Sequence, residues 1–285
     1  MKIGIALSGG GIRGIAHAGV LKALEDNGIN IDVIGGTSAG GMVASLYAIG
    51  YTPDEIYELF RKNAKKIIGA NSIPFITGIR NFMNKKGGEL NGFRNGKNIE
   101  EVYEIMAEEK GIKEMNQIKM PIVIPTVDII ESKEYIFTNS IPKGAENTKQ
   151  YITDISVGKA VRASSSFPAV FNTCSVNMHA FIDGGALNNV PVNEVKKQGA
   201  DKVIAVKFNA DKVDETSNIM DIAMKTIDIM GSKIAEENLS KSDYVLNVST
   251  DKVGLLDVGK LDGCFKYGYD AVIKNIDEIK NVLEN

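Results

Sequence analysis

Histidine and cysteine are scarce in this sequence, and long apolar runs are missing. Its 285 residues include two histidines, His17 and His179, and two cysteines, Cys174 and Cys264. Two histidines are few for a metalloenzyme or for histidine-driven catalysis. Two cysteines make no disulfide framework and point to a reducing compartment. No stretch of about 18 or more apolar residues is present that could cross a bilayer. Near the N-terminus, Ile3 to Leu7 are the only apolar run before Ser8 and the glycines, which is too short for a signal-peptide core. A soluble, cytoplasmic protein is therefore expected. No group of His, Cys and carboxylate residues has metal-ligand spacing, so neither a metal nor a cofactor is expected.

What is present suits a packed enzyme-sized core. The chain is 44% hydrophobic and 24% charged with a formal net charge of −3, which excludes wholesale disorder. Its length fits one large domain or two small ones and suffices for a three-layer core. Glycine is abundant at 29 residues, and the glycines are clustered.

Residues 3–7 read as a buried strand ending in glycines, and Ile15 to Leu24 follow with a helical period. Ile31 to Ile34 form a second strand, again ending in glycines, before an apolar helix from Met42 to Ile49. Two strand–glycine–helix units in succession argue for a mostly parallel sheet with helices on its faces. Thr52-Pro53-Asp54-Glu55 carries a capping box and predicts a helix start. Further helices are expected over Asn98–Lys110, Ser156–Ser164, Ile219–Asn238 and Tyr267–Leu283. Strands are expected over Pro121–Asp128, Tyr135–Thr138, Phe181–Ile182, Val203–Phe208 and Tyr244–Val248. Neither repeats nor low-complexity tracts interrupt the chain, and one composite domain is the simplest organisation.

Three glycine sites carry chemistry. The first is Ser8-Gly9-Gly10-Gly11-Ile12-Arg13-Gly14, between a strand and a helix. Glycines let the backbone turn its N–H groups towards one point, and the helix N-terminus beyond favours negative charge. Such a loop holds a phosphate or a transient oxyanion. It also fits the dinucleotide fingerprint, but that motif wants an acid at the end of the second strand, and Asp32 lies at its start. The end of that strand instead carries Gly36-Thr37-Ser38-Ala39-Gly40, a G-x-S-x-G pattern that would expose the Ser38 hydroxyl on a sharp turn. A glycine-rich turn with an incidental serine remains the plain alternative. The third site, Asp183-Gly184-Gly185, taken alone reads as an ordinary Asp-Gly turn.

Together the three constrain one another. The α/β-hydrolase triad runs Ser, acid, His along the chain, and no histidine follows Asp183. His17 and His179 read as structural residues. Asp183 is left as the base, paired directly with Ser38.

These residues resemble the patatin-like phospholipase family. GGGIRG at 9–14, GTSAG at 36–40 and DGG at 183–185 match its oxyanion loop, nucleophile and later acidic motif. ASSSFPAVF at 163–171, GALNNVPV at 185–192 and PTVDI at 125–129 fit the same pattern. The resemblance covers residues 3 to about 208 and weakens beyond. It implies a three-layer α/β/α sandwich with a mostly parallel sheet. Residues 1–208 would hold the catalytic motifs, and 209–285 would complete the same domain. It further implies a serine lipid acyl hydrolase with a Ser–Asp dyad. In that scheme Ser38 is the nucleophile and Asp183 the proton acceptor. Gly36 and Gly40 shape the elbow, and Gly184 and Gly185 flank the base. The oxyanion set is Gly10 and Gly11, with Gly9, Arg13 and Gly14 around them; whether Arg13 helps or only braces the loop stays open. The partner implied is a lipid or acyl ester, not nucleic acid.

Charge is unevenly spread. From Arg61 to Lys97 there are nine basic residues and one acid, Glu89, within a chain of net charge −3. Between the lysine pairs Lys65, Lys66 and Lys85, Lys86 lies an apolar stretch with only Arg80 charged. Basic flanks around an apolar segment suit an anionic lipid surface. A peripheral membrane contact beside the Ser38 cleft is expected here; a solvated loop packing its apolar part on the core is the alternative. Phospholipids or lysophospholipids are the expected substrates. Soluble acyl esters or thioesters are the competing reading, as is a lipid-binding protein without turnover.

Overall fold

The computed structural model describes residues 1–68, 92–146, 148, 150–209, 219–250, 253 and 257–285. The chain begins with β1 (Ile3–Leu7), a 3₁₀ turn at Gly11–Ile15 and α1 (Ala16–Asp26). β2 (Val33–Gly36) leads directly into α2 (Ala39–Ala48), which is followed by α3 (Pro53–Ile68). Next come β3 (Gly92–Arg94), α4 (Lys97–Glu109), β4 (Ile122–Asp128), β5 (Lys133–Thr138) and β6 (Tyr151–Ile152). The central part closes with α5 (Val157–Ser164), β7 (Ala169–Phe171), β8 (Cys174–Val176) and β9 (His179–Asp183). The last elements are α6 (Val192–Lys197), β10 (Lys202–Phe208), α7 (Ile219–Leu239), β11 (Tyr244–Val248), α8 (Leu261–Lys274) and α9 (Ile276–Glu284).

One sheet organises these elements, in the order β11-β10-β1-β2-β4-β5-β6. Its first five strands are mutually parallel. β5 runs antiparallel to β4, and β9 also pairs antiparallel with β4 while carrying β8 on its outside. A strand buried on both faces needs no polar alternation, and the run Ile-Gly-Ile-Ala-Leu of β1 has none. Ile5 and Leu7 enter one buried cluster together with residues of α1–α5, α8 and α9. Ala6, between them, enters the other, with Val192 and Val195 of α6. That alternation makes the three layers: helices, sheet, helices.

Close helix packing explains one pair of glycines. A side chain on Gly19 of α1 would strike the Phe265 carbonyl of α8, and one on Gly268 would strike the Ala16 carbonyl. The two helices approach at facing glycines. Thr52 and Glu55 form the expected capping box at the start of α3, with reciprocal backbone-to-side-chain bonds of 2.8 and 3.2 Å.

Two differences from the sequence reading have local causes. The single closing helix expected over Tyr267–Leu283 is two helices, broken at Asn275. That residue leaves helical geometry (φ −116°, ψ 14°) and turns its side-chain amide back onto the Ala271 carbonyl at 2.7 Å. Asparagine competes in this way with helical backbone bonding. The β8–β9 hairpin has no counterpart among the expected strands; Asn177 makes its turn at φ 54°, a left-handed conformation that asparagine tolerates. Among the described residues no helix is long and apolar enough to cross a membrane. Both cysteines are buried and free.

Candidate active site

The edge of β4 brings the two catalytic candidates together. β5 occupies one edge of β4 along its length, from Val123 opposite Thr138 to Asp128 opposite Lys133. The other edge is shared. β2 pairs with its first part, Gly35 opposite Val123, and β9 pairs with its last part, Thr126 opposite Asp183. Because β2 runs parallel to β4 and β9 antiparallel, their C-terminal ends point at each other across Ile124 and Pro125. Ser38 lies just beyond the end of β2, and Asp183 is the last residue of β9.

Ser38 sits at φ 54° and ψ −120°, a strained conformation for a residue with a side chain, between β2 and the first turn of α2. Gly40 makes the turn feasible: a side chain there would run into the Leu7 carbonyl. The elbow is tied from behind. The Ser38 N–H donates to Ser164 Oγ at 3.0 Å, and that hydroxyl donates onward to the Pro125 carbonyl at 2.6 Å. Thr37 Oγ1 donates to the Asn188 carbonyl at 2.7 Å.

Asp183 is only 4% exposed. Its N–H donates to the Ser166 carbonyl at 3.0 Å, and its Oδ1 accepts the Gly185 N–H at 2.8 Å. Burial pushes its carboxyl up to about 6, outweighing the opposite pull of the Ser38 hydroxyl and the Gly185 N–H. Asp183 Oδ2 has no aligned hydrogen-bond partner among the described residues, although the Ser38 hydroxyl is near enough to act on the carboxyl. Catalytic bonds commonly tighten only once substrate is in place. A buried carboxylate poised near neutrality, beside a half-buried hydroxyl at a helix N-terminus, can act as a base towards that hydroxyl.

A cleft of about 1180 Å³, counted out to its open mouth, spreads from this pair. Gly9, Gly10 and Gly11 form one wall beside Ser38, while Arg13 and Gly14 are not among the lining residues. Gly14 packs against Ala39, and Arg13 Nε holds the Gly10 carbonyl at 3.2 Å, so Arg13 braces the loop. The Gly9 N–H is already bonded to Asn189 Oδ1 at 2.9 Å, whereas those of Gly10 and Gly11 have no partner among the described residues. Gly185 lines the cleft, and Gly184 is wedged against the Pro125 carbonyl. Ser165 and Asn189 add polar atoms to the lining, and most of the rest is apolar: Met42 of α2, Phe60, Ala64 and Ile67 of α3, Ile99 of α4, and Phe167, Pro168, Val170 and Phe171.

α3 therefore faces the cleft with Phe60, Ala64 and Ile67 and presents Lys62, Lys65 and Lys66 outward. The other residues expected at a lipid surface, Arg80, Lys85 and Lys86, lie outside the described residues. His17 is buried and packs on Phe208 behind the glycine loop, and its Nε2 donates to the Ser8 carbonyl at 2.8 Å. His179 Nδ1 bonds Asp128 at 2.7 Å, away from the dyad. With Glu131 these two bring ligand-type atoms within 4.8 Å of one another, a grouping that the sequence reading did not find. Its oxygens are engaged locally. Asp128 also accepts the Ile130 and Ala180 N–H groups, and Glu131 accepts from Tyr135 and Lys133. It reads as a brace between the β4–β5 turn and β9.

The sequence reading missed Ser164, Asn188 and Asn189 as site residues. Their signal was present only as polar positions inside ASSSFPAVF and GALNNVPV.

Comparison with known proteins places the chain. The family model described as patatin-like phospholipase matches residues 5–196. The lysophospholipase NTE1 of Candida albicans is 28% identical, covering 93% of this chain and 19% of that protein. The lysophospholipase NTE1 of Yarrowia lipolytica is 30% identical, covering 75% of this chain and 13% of that protein. The chain thus spans about a fifth or less of the length of the curated relatives it matches. Among solved structures, VipD from Legionella pneumophila aligns with a TM-score of 0.49 at 17% identity, over 97% of this chain and 67% of that one.

Proposed function

The chain belongs to the patatin-like phospholipase family, and on that premise we propose that it is a serine acyl hydrolase cleaving the carboxylic esters of lysophospholipids or phospholipids. The observation that carries this reading is a largely apolar cleft ending at a serine, a buried carboxylate and two backbone N–H groups that have no partner among the described residues. Ser38 Oγ attacks the ester carbonyl carbon as Asp183 takes its proton. The carbonyl oxygen becomes an oxyanion and is met by the Gly10 and Gly11 N–H groups. Collapse expels the glycerol-side alcohol, which receives the proton from Asp183, and leaves an acyl ester on Ser38. Water, deprotonated by Asp183, attacks that ester, and the fatty acid leaves as Ser38 regains its proton. The apolar walls from α2, α3 and α4 hold the acyl chain, and preorganised N–H donors lower the barrier for the charge that develops.

Turnover of lysophospholipid, diacyl phospholipid and short soluble esters by the purified protein tests this reading. Lipid esters should be preferred. Turnover of soluble esters alone would move the assignment to a general esterase, and no turnover with any ester would favour a lipid-binding role.

The pH dependence follows from Asp183. Its carboxylate must be ionised to accept a proton, and its pKa is about 6. Below that value kcat/KM should fall about tenfold per pH unit, with a plateau above it. A flat profile between about pH 5 and 8 would remove Asp183 as the base.

The basic insert supports a peripheral lipid contact. Each cation near an anionic surface contributes about 1 kcal/mol. Neutralising Lys65, Lys66, Lys85 and Lys86 together should therefore weaken binding to phosphatidylserine-containing vesicles by tenfold or more. Sedimentation with such vesicles measures this, and unchanged binding would contradict it.

A further inference from the structure

The glycine loop is held by side chains near it in sequence, His17 and Arg13, and by one far from it, Asn189, and the pattern of those bonds sorts its N–H groups by role. A trans peptide is planar, so its C=O and N–H point in opposite directions. The Ser8–Gly9 peptide is gripped at both ends. His17 Nε2 donates to the Ser8 carbonyl at 2.8 Å, and Asn189 Oδ1 accepts the Gly9 N–H at 2.9 Å. The Gly10–Gly11 peptide is gripped at its carbonyl by Arg13 Nε at 3.2 Å, which sends the Gly11 N–H the other way.

Asn189 stands at a junction. It lines the cleft, and its Oδ1 lies where side chains on Gly9 and on Gly185 would each come within 2.7 and 3.2 Å. One side chain is therefore wedged between the oxyanion loop and the turn that follows Asp183. Its neighbour Asn188 fixes the segment from behind, donating to Glu134 at 2.7 Å and accepting from Asn238 at 3.1 Å. The Asn188 carbonyl also receives the Thr37 hydroxyl from the nucleophile elbow.

We propose that Asn189 is a positioning residue which, with His17, clamps the Ser8–Gly9 peptide and so aims the Gly10 and Gly11 N–H groups at the substrate oxyanion. The Gly9 N–H then holds the loop in place and does not touch substrate. His17 suits this role because it is wholly buried and burial lowers its pKa to about 4, so its one ring proton stays on Nε2, facing an oxygen that can only accept. This inference rests on the proposed role of Ser38, and its test separates the two.

Asn189→Ala, His17→Leu and His17→Gln would be compared with wild type. The readouts are kcat, KM and the inhibition constant of a trifluoromethyl ketone with the substrate's acyl chain. That ketone adds to the serine and places an oxyanion in the same hole. Asn189→Ala and His17→Leu should lower kcat about 10- to 100-fold with KM within about twofold. The ketone should weaken by a similar factor. His17→Gln, which keeps a neutral donor for Ser8, should recover most of what His17→Leu loses. If Asn189→Ala does not fold, the two His17 variants decide the outcome. An unchanged ketone constant in the folded variants, or equal losses in His17→Gln and His17→Leu, would overturn the proposal. A wild-type protein whose Ser38 does not react with the ketone would instead overturn the reading on which it rests.

Discussion

Ser38→Ala should lower ester turnover by at least ~10⁴-fold while leaving KM and the fold nearly unchanged. The substitution deletes one hydroxyl and little else. Alanine carries the same Cβ as serine, so the strained backbone at φ 54° is no worse accommodated. The Ser38 N–H bond to Ser164 belongs to the backbone and survives. The cleft, the glycine loop and Asp183 remain in place, so substrate still binds. What is lost is the atom that forms the acyl bond. Steady-state kinetics with a lysophospholipid, beside a thermal melt, measures both halves. A variant retaining more than about a tenth of wild-type kcat would require another nucleophile.

Asp183→Asn should separate activity from stability. Without a base, kcat should fall on the order of 10³–10⁴-fold, with KM preserved and the rise in rate through pH 6 abolished. Stability should move the other way at neutral pH. The folded carboxyl titrates at about 6, against 3.8 for the free group, so the native state holds a proton that the unfolded chain has already released. Wild-type stability therefore falls as pH rises from about 4 to about 6, by about 3 kcal/mol in all. Above pH 6 the native protein carries a buried charge that asparagine does not. Asp183→Asn should accordingly melt higher than wild type at pH 7 to 8. Equal melting temperatures at pH 7.5, or a lower one for the variant, would show that Asp183 is not strained by its burial.

The local parts of this site were legible in the sequence, and its assembly was not. Strand, glycines and helix in succession mark the loop at 9–14 and the elbow at 36–40, because chain reversals at a sheet edge need glycine where backbones touch. The capping box at Thr52 and Glu55 is equally local and equally readable. That Asp183 reaches Ser38 depends on two strands sharing one edge of β4, and no periodicity encodes such a pairing. Asn189 serves Gly9 across 180 residues, and Ser164 serves Ser38 across 126. Either one, read alone, is a polar residue in a loop or at a helix end. His17 reads from the sequence as structural, and it is buried with a bond to the Ser8 carbonyl, yet nothing in the sequence says which peptide it holds.

The central claim is that Ser38 is a nucleophile activated in this cleft, and covalent labelling tests it most directly. The protein would be treated with an alkyl fluorophosphonate, digested, and mapped by mass spectrometry. One phosphonyl group should be found, on the peptide containing Ser38, and its formation should slow below pH 6 as Asp183 takes up a proton. Labelling at another residue, or a Ser38→Ala protein labelled as fast as wild type, would contradict the account.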